Sequence, residues 1–414
     1  MHPSRRSLTK LIGSATIASL FRSGAARSQA RSVSIGITLP LTGAGAEDAV
    51  NILHGAVLAI EEANAAGGPG GYHVQIETLD NATATAGQYD PMQAAVNARK
   101  LVIDKSVVGA VGPMNSGSGK AMAAILSQAD LATVTPSSTN PDLTDPKFAA
   151  LYRPGGKAIY FRTVTTDSYQ GPNMANFMAQ QLKIKSVFVL DDSGAYGVGI
   201  ADAFQARAAK IGINVLGRDR VDPLAADYSS VLTRVRGLGA QALYCGSSAL
   251  AGIKLVKQSY EIAPNMIKAG GDGLHQVSVL GGAGFPAAEG WYTTIAAPHM
   301  LDDKVMQPWM DRYVKRWGTR PADYSITAYD AAQVVLAAIA AVAKTDQPVT
   351  RAAVRDAIQA GRVKTLQGDL AFDGNGDLDS HVVSVFQVKF DPNYPPTDVV
   401  HQFKYIGAAP SDAS

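Results

Sequence analysis

Three polar clusters in the sequence follow strand-like segments and carry groups suited to binding a small charged ligand. The first, 115-NSGSG-119, and the second, 135-TPSSTNPDL-143, both offer hydroxyl and backbone N–H donors. The third is 270-GGDGL-274, in which the acid Asp272 is flanked by glycines. Donors of this kind bind a carboxylate, whereas an acid binds an ammonium group. Together the clusters predict a site for a molecule with both charges, such as a free α-amino acid, and Tyr196 could add a hydroxyl and an apolar face.

Other interpretations of the same residues are open at this point. A glycine-rich loop before a helix is typical of phosphate binding. The P-loop pattern fails, however, because Met114 stands at its first glycine and Ala121 at its Ser or Thr position. Ser116 and Ser118 could instead be ordinary N-cap residues of the helix that follows. The third cluster could be a plain turn, and Tyr196 could pack locally at the start of a helix.

Strand and helix patterns alternate from residue 33 onward and place these clusters at strand ends. The first predicted series is strand 33–41, helix 48–66, strand 74–80, helix 91–104, strand 107–113, helix 117–129 and strand 131–136. The second, after 160–164, is helix 170–182, strand 186–192, helix 197–210, strand 213–217, helix 227–238, strand 242–246 and helix 248–262. Further helices are predicted at 304–317, 325–343 and 350–360, and a strand at 383–390. This order predicts an α/β protein with two doubly wound lobes and a ligand site between them.

The first thirty residues have the layout of a signal peptide. They contain five Lys or Arg and no acid, and the moderately apolar run 11–21 follows the basic start. Ser28 and Ala30 are the small residues expected at positions −3 and −1 of a cleavage site. The pair Arg5 and Arg6 resembles a twin-arginine export signal, and the ordinary secretory route is the alternative. We therefore expect export to the periplasm.

Composition and charge exclude several classes of partner. The chain is 46% apolar and 17% charged, so it can bury a large core. Removal of residues 1–30 changes the formal net charge from +2 to −3, which makes nucleic acid an unexpected partner. Cys245 is the only cysteine; it is expected to be a small buried group, and there is no cysteine at the cleavage site to carry a lipid. The longest apolar run after the signal peptide, 331–343, is too short to span a bilayer.

Signals for a metal or a catalytic site are weak. The segment 373–379 imitates the start of an EF-hand, but Leu378 occupies the sixth position and Ser384 the twelfth, so a hairpin turn is the better interpretation. The seven histidines are scattered without a metal-ligand motif. No G-x-S-x-G sequence surrounds Ser116 or Ser118. We therefore expect no metal, no cofactor and no catalytic residues.

Seven motifs in a fixed order carry a resemblance that covers the chain from about Ser32 to Tyr405. They are 36-GITLPLTG-43, 58-LAIEEANAAGG-68, 109-GAVGPMNSGSG-119, 134-VTPSSTNPDLT-144, 160-YFRTVTTDSYQGP-172, 192-DSGAYGVG-199 and 371-AFDGNGDL-378. In this order they resemble the substrate-binding proteins of branched-chain amino-acid ABC transporters, which have the type I periplasmic binding protein fold. The resemblance implies two Rossmann-like lobes joined by three crossings, near residues 164, 295 and 382. The implied division is lobe 1 at 31–164 plus 296–382, and lobe 2 at 165–295 plus 383–414.

The resemblance also implies roles for the polar clusters. The implied ligand-binding residues are Ser116, Ser137, Ser138, Thr139, Tyr196, Asp272 and Asp48. Ser116, the Ser137 carbonyl and Thr139 would hold the carboxylate and part of the ammonium group. Asp272 takes the place of the family's ammonium-binding glutamate, and Tyr196 would close on the ligand from lobe 2. The implied partners are a small-molecule ligand and an inner-membrane ABC permease, and a monomer is expected.

Three departures from the family pattern bear on the ligand. Asp48 stands where many relatives place an aromatic wall, so it is either a helix N-cap or a sign of a more polar or cationic ligand. A second aromatic wall of relatives falls near Ser247 and Ser248. The side chain of Asp272 is one methylene shorter than the glutamate that it replaces.

Several functions are compatible with these residues. An amino acid, expected to be branched-chain or aliphatic, is the first ligand. A carboxylate without an amine, such as an aromatic acid, or an amide or urea is the alternative on the same fold. An amidase would need a nucleophile and a base in the cleft, and a sensory module would act without transport.

Overall fold

Both predicted series of elements are present in the computed structural model, which describes residues 31–345 and 347–411. The candidate signal peptide at 1–30 lies outside the described residues. The first part of the chain forms β1 (Ser32–Leu39), α1 (Ala46–Ala65), β2 (His73–Asp80), β3 (Ala82–Thr83), β4 (Gln88–Tyr89), α2 (Pro91–Ile103), β5 (Val107–Val111), α3 (Ser116–Gln128), β6 (Thr133–Thr135), α4 (Ala149–Tyr152) and β7 (Tyr160–Arg162). The second part forms α5 (Asp167–Gln180), β8 (Ser186–Asp191), α6 (Ala195–Lys210), β9 (Asn214–Arg220), α7 (Ser229–Gly237), β10 (Ala242–Gly246), α8 (Ala249–Ile262), β11 (Ile267–Gly270), α9 (Val277–Ala283) and β12 (Tyr292–Ile295). The remainder forms α10 (Gln307–Trp317), α11 (Asp323–Ala343), α12 (Arg351–Ala360), β13 (Arg362–Thr365), β14 (Gly368–Ala371), β15 (Ser384–Val388), α13 (Val399–Gln402) and β16 (Phe403–Ala408).

The first sheet is parallel, with the strand order β2-β1-β5-β6-β7. Along β1 every residue after the first is buried, including Ile35, Ile37 and Leu39, which is typical of a strand covered on both faces. One face packs against α1 and α11, and the other packs against α2 and α3 with Leu101 and Met122 at the contact. This sheet with α1–α4 and α10–α12 is called lobe 1 below.

The core helix of lobe 1 is α11. By length and composition alone this helix of 21 residues would qualify as a membrane span, and 72% of its most apolar window is buried inside the protein. It is longer than the predicted apolar run 331–343 because it begins at Asp323. Its buried small and branched residues lie between α1 and the first sheet, so packing within the lobe accounts for its apolar character.

The second sheet has the order β16-β15-β12-β11-β10-β8-β9, with β8 to β12 parallel and β15 and β16 antiparallel at one edge. This sheet with α5–α9 and α13 is called lobe 2. Cys245 in β10 is fully buried, as predicted, and its burial raises the pKa of the thiol.

Three segments connect the two sheets, which confirms the predicted fold class. They run between β7 and β8, between β12 and α10, and between β14 and β15. Ser384 Oγ donates to the carbonyl of Ala297 at 2.8 Å and accepts from His299 N at 2.8 Å. Thr165 N donates to the carbonyl of Ala296 at 2.8 Å. The three connections are therefore hydrogen-bonded to one another beside the cleft.

Two N-cap interpretations from the sequence are wrong. Ser116 is the first residue of α3 and Ser118 lies inside that helix, while Asn115 occupies the N-cap position without a side-chain cap. Helix α1 is preceded by Gly45 with a left-handed φ of 87°, and Asp48 lies in the first turn instead of at the N-cap. A tight glycine turn at Gly45 starts the helix three residues before the acid, which frees Asp48 for a distant contact.

The hairpin-turn interpretation of 373–379 is confirmed, while the short helices α4, α9 and α13 are missed. Asp373 N donates to the carbonyl of Asp377 at 2.9 Å, which closes the turn. Helix α9 was not predicted because 277-VSVLGGA-283 is short and carries two glycines, whose low helix propensity hides the pattern.

Candidate ligand-binding site

A narrow cavity of about 20 Å³ lies where strands of both sheets end. Of the described residues, those that line it are Met114, Asn115, Ser116, Ser137, Tyr196, Ser248, Asp272, Gly273, Gln276 and Tyr324. A larger groove lies over α5, α6 and the last strand, but it is lined by none of the residues in the polar clusters. The smaller cavity is the candidate site because both lobes contribute to it and polar groups converge there.

Asp272 is the acid at the lobe 2 side of the cavity. It follows β11 in a single 3-10 turn, Asp272–Leu274, and its side chain is nearly buried at 5% exposure. Its Oδ1 accepts from the Tyr196 hydroxyl at 2.7 Å and from Gln170 Nε2 at 2.9 Å, and its Oδ2 accepts from the Tyr324 hydroxyl. Burial raises the pKa of Asp272, and these three hydrogen bonds oppose that rise. All three donors are uncharged, so the carboxylate can still gain from a cation.

The glycines around Asp272 are required by close packing. A Cβ at Gly271 would lie 2.3 Å from the Tyr196 hydroxyl oxygen, and a Cβ at Gly273 would lie 2.2 Å from the backbone oxygen of Ser247. Gly273 N also donates to the Tyr196 hydroxyl at 3.0 Å, which leaves that hydroxyl's hydrogen for Asp272. The motif 270-GGDGL-274 thus fits the acid tightly against Tyr196 and is not a loose turn.

A second acid, Asp167, lies beside Asp272. It begins α5, is fully buried, and its backbone N donates to the carbonyl of Thr139 at 2.9 Å. Gln170 Nε2 donates to Oδ1 of both acids, at 3.0 Å to Asp167 and 2.9 Å to Asp272. Burial and the negative charge of Asp272 raise the pKa of Asp167 to about 8, against hydrogen bonds from Thr139 and Gln170 and the positive charge of Arg162. At neutral pH the pair therefore holds a proton that an incoming cation can displace.

Lobe 1 supplies donors on the opposite side of the cavity. Ser116 is 1% exposed at the start of α3, and its Oγ accepts from Asn140 N at 3.2 Å. Its own hydroxyl hydrogen can then point toward a ligand. Because α3 has 13 residues, its dipole and its free N–H groups also favour an anion at this end. Ser137, which lines the same wall, donates from Oγ to the carbonyl of Met114 at 3.2 Å.

Arg162 holds the 137–139 segment in place. The fully buried guanidinium donates to the Ser138 carbonyl at 2.8 Å and to the Thr144 hydroxyl at 2.7 Å. It also donates to Asp377 Oδ1 at 2.6 Å, in the turn that follows β14. This bonding fixes Ser138 through its backbone and leaves the site dependent on a turn more than 200 residues away.

Asp48 lies beside the cavity and connects the lobes. From α1 in lobe 1 its Oδ1 accepts from Val277 N at 2.8 Å, and its Oδ2 accepts from Ser278 N at 3.3 Å and Ser278 Oγ at 2.8 Å. These donors belong to the first turn of α9 in lobe 2. Burial raises the pKa of Asp48 to about 6, and the same hydrogen bonds oppose the rise.

The structure brings four of the seven predicted residues to the cavity wall: Ser116, Ser137, Tyr196 and Asp272. Ser138 and Thr139 are buried behind that wall, and Asp48 lies at its edge, so their contact with a ligand stays a prediction. The residues without a predicted role are Asn115, Asp167, Gln170, Ser248, Gln276 and Tyr324. Asp167 and Gln170 belong to the motif 160-YFRTVTTDSYQGP-172, so their polarity at a predicted helix start was a usable signal. Tyr324 reaches the site only because α11 returns to lobe 1, which local patterns do not reveal.

Comparison with known proteins gives consistent matches. Residues 32–393 match the sequence profile of the periplasmic binding protein family. Leu/Ile/Val-binding protein homolog 3 of Brucella melitensis is 30% identical over 91% of this chain and 96% of its own length. The leucine-, isoleucine-, valine-, threonine-, and alanine-binding protein of Pseudomonas aeruginosa is 27% identical over 86% of this chain and 90% of its own. Among solved structures, the leucine binding protein LivK of Thermotoga maritima aligns with a TM-score of 0.77 at 23% identity, over 91% of this chain and 98% of that one.

Proposed function

The chain belongs to the periplasmic binding protein family, and from this premise we propose that it captures a free α-amino acid between its lobes and delivers it to an ABC permease of the inner membrane. The observation that carries the proposal is the opposition of two buried acids to an anion-binding helix start across one cavity. An α-amino acid carries both an ammonium group, which the acids can bind, and a carboxylate, which the helix start can bind.

The ligand's two charged ends are assigned to opposite walls. Ser116 Oγ and the N–H groups at the start of α3 receive the carboxylate, as the helix dipole favours. Asp272 receives the ammonium and Asp167 gives up its proton to become a second acceptor. The carbonyl of Ser137 completes the ammonium contacts, Tyr196 covers the ligand from lobe 2, and the contact of the Thr139 hydroxyl stays a prediction.

We propose that contacts made by residues of both lobes to the ligand site favour the closed form. Tyr324 of lobe 1 donates to Asp272 of lobe 2, so an amino acid at Asp272 contacts a carboxylate held from both sides. A ligand shifts an open and closed equilibrium only by its difference in affinity for the two forms. The hinge is proposed to follow the boundaries 31–164 plus 296–382 and 165–295 plus 383–414. No covalent step is part of this function.

The first candidate ligands are aliphatic amino acids, because they appear in the names of the relatives. A carboxylate without an amine fits less well, since it would leave the two buried acids without a cation. The cellular setting is proposed from the signal-peptide layout of residues 1–30: export to the periplasm, where the protein acts as a monomer.

Thermal unfolding of the protein, refolded after denaturation to remove bound ligand, tests the proposal. The panel holds leucine, isoleucine, valine, threonine and alanine, each with its deaminated acid and its decarboxylated amine as matched controls. A ligand at a hundred times its dissociation constant adds about 2.7 kcal/mol, or roughly 3 °C in Tm for a chain of this size. We expect shifts with amino acids alone. A shift with the deaminated acids and none with the amino acids would reject the proposed function, and ammonia released from amides would indicate an amidase instead.

A further inference from the structure

The part of the cavity between its two charged ends carries amide and hydroxyl side chains beside its apolar groups. The carboxylate end uses Ser116, and the ammonium end uses Asp272. The remaining wall includes Asn115, Ser248 and Gln276, together with Met114 and the rings of Tyr196 and Tyr324. A subsite for a purely apolar side chain would be lined mainly by hydrophobic and aromatic groups.

Asn115 has an amide that the protein itself leaves unpaired. It occupies the N-cap position of α3, where an asparagine side chain usually accepts from the helix, yet it makes no such bond. Its Oδ1 is buried and has no hydrogen-bond partner within the described residues. A buried acceptor without a partner is costly, so this atom needs a donor from a molecule in the cavity.

Gln276 brings a second amide to the cavity from the opposite lobe. It is 7% exposed, and its Oε1 lies 3.3 Å from Ser278 Oγ, whose single hydrogen is donated to Asp48 at the shorter distance of 2.8 Å. Its NH₂ group makes no hydrogen bond in the described part of the chain, although the residue lines the cavity. An unpaired acceptor on Asn115 and an unpaired donor on Gln276 are thus both available to a ligand in the cavity.

The charges around this volume favour a neutral side chain. Asp272 lines the cavity and shares Gln170 with Asp167, so an anionic side chain would be repelled. A cationic side chain finds no free carboxylate, because Asp48 already accepts three hydrogen bonds from α9 and Asp272 is engaged by the ammonium group. A neutral group that both donates and accepts satisfies Asn115 and Gln276 together.

We infer that Asn115 and Gln276 form a subsite for a neutral hydrogen-bonding side chain, a hydroxyl or a carboxamide, within the amino-acid site. This inference rests on the proposed function and changes its preferred ligand from a purely aliphatic amino acid to one with a neutral polar side chain. Threonine therefore binds more tightly than valine, and asparagine more tightly than leucine, although each pair has nearly the same shape. The apolar member of each pair leaves two amides unpaired, which corresponds to roughly tenfold to a hundredfold weaker binding.

Isothermal titration of the full-length, ligand-stripped protein with threonine, valine, asparagine and leucine tests the inference. The variants Asn115→Leu and Gln276→Leu remove each amide with little change in volume. We expect each variant to lower the ratio of threonine to valine affinity, and that of asparagine to leucine affinity, at least tenfold. Gln128→Leu is the matched control, since it makes the same replacement at the exposed far end of α3.

The outcomes separate the two proposals. Valine binding as tightly as threonine, and leucine as tightly as asparagine, would overturn the subsite and leave the amino-acid site intact. Binding of none of the four, together with binding of a deaminated acid, would reject the proposed function itself. A threonine preference that survives both variants would show that other residues produce it, which also overturns the assignment. The wild-type comparison decides the matter even where a variant fails to fold.

Discussion

The buried Asp272 and the half-buried Asp48 both accept hydrogen bonds across the cleft, yet their donors differ in kind. Asp272 of lobe 2 accepts from side chains alone, those of Tyr196, Gln170 and Tyr324. Asp48 of lobe 1 accepts two backbone N–H groups and one hydroxyl at the start of α9. Side-chain donors can turn away when a ligand arrives, whereas N–H groups at a helix start have a fixed direction. The first acid is therefore equipped to bind a ligand and the second to join the lobes.

The same contrast explains why one acid lines the cavity and the other does not. Asp272 lines the cavity, and its hydrogen-bond donors are uncharged. The positive charge of an ammonium group would therefore stabilise this buried carboxylate. Asp48 has both oxygens engaged by lobe 2 and gains little from a further partner. Burial alone does not identify a ligand-binding acid; the freedom of its partners does.

The largest effect should come from Asp272→Asn, which keeps the shape and removes the charge. We expect amino-acid affinity to fall by roughly thirtyfold to several thousandfold, because a charge left without its buried partner costs about 2–5 kcal/mol. Titration calorimetry measures the loss, and circular dichroism checks the fold. Glu261→Gln, at an exposed site in lobe 2, is the matched control and should bind normally. Unchanged affinity in Asp272→Asn would contradict the ammonium assignment.

A smaller and less selective effect is expected from Asp48→Ala. Loss of the carboxylate leaves the N–H groups of Val277 and Ser278 without their acceptor in the closed form, at about 1–3 kcal/mol. All ligands should weaken by a similar factor of about five to a hundred, so the ratio of threonine to valine affinity should not change. The neighbouring exposed Glu47→Ala serves as the control. A loss confined to one ligand class would mean that Asp48 contacts the ligand after all.

The sequence predicts most of the fold because its signals are local. Strand β10 and the starts and ends of α1, α2 and α8 lie within two residues of their predicted positions. The polar clusters were also placed at strand ends, since parallel strands put their carboxyl ends at one edge. These predictions depend on the spacing of hydrophobic residues and on turn residues, both of which can be read from short contiguous segments of the chain.

The contacts that the sequence does not reveal join residues far apart in the chain. The bonds from Tyr324 to Asp272 and from Val277 to Asp48 depend on how the lobes close, which no local pattern encodes. The N-cap interpretation of Asp48 was wrong for this reason: an acid in a first helical turn is a good N-terminal signal, but its partner lies in another helix. The polarity of Asn115 was visible, whereas its missing partner was not.

The smallest expected effect is on the pH dependence of ligand affinity. Protonation of Asp167, beside Asp272, and protonation of Asp48 should change that affinity in opposite directions. In the closed structure without ligand the pKa of Asp167, the neighbour of Asp272, is about 8, and an ammonium beside it favours the ionised form. Amino-acid binding should then release a proton below pH 8, so affinity rises with pH in that range. Asp48 has a pKa of about 6 when the lobes are closed, against an ordinary value of 3.8. Closure should therefore take up a proton between about pH 4 and 6, so this contribution strengthens binding as pH falls.

Calorimetry in buffers of different ionisation enthalpy counts these protons directly. Each change should stay below tenfold per pH unit, because one group exchanges at most one proton. Asp167→Asn should abolish the release near pH 7 and keep the uptake near pH 5, whereas Asp48→Asn should do the reverse. His299, whose pKa is raised by Asp323, titrates in both variants alike and cancels in the comparison. Release that persists in Asp167→Asn would mean that the ammonium does not displace this proton, and the two acids would then differ in position but not in their response to the ligand.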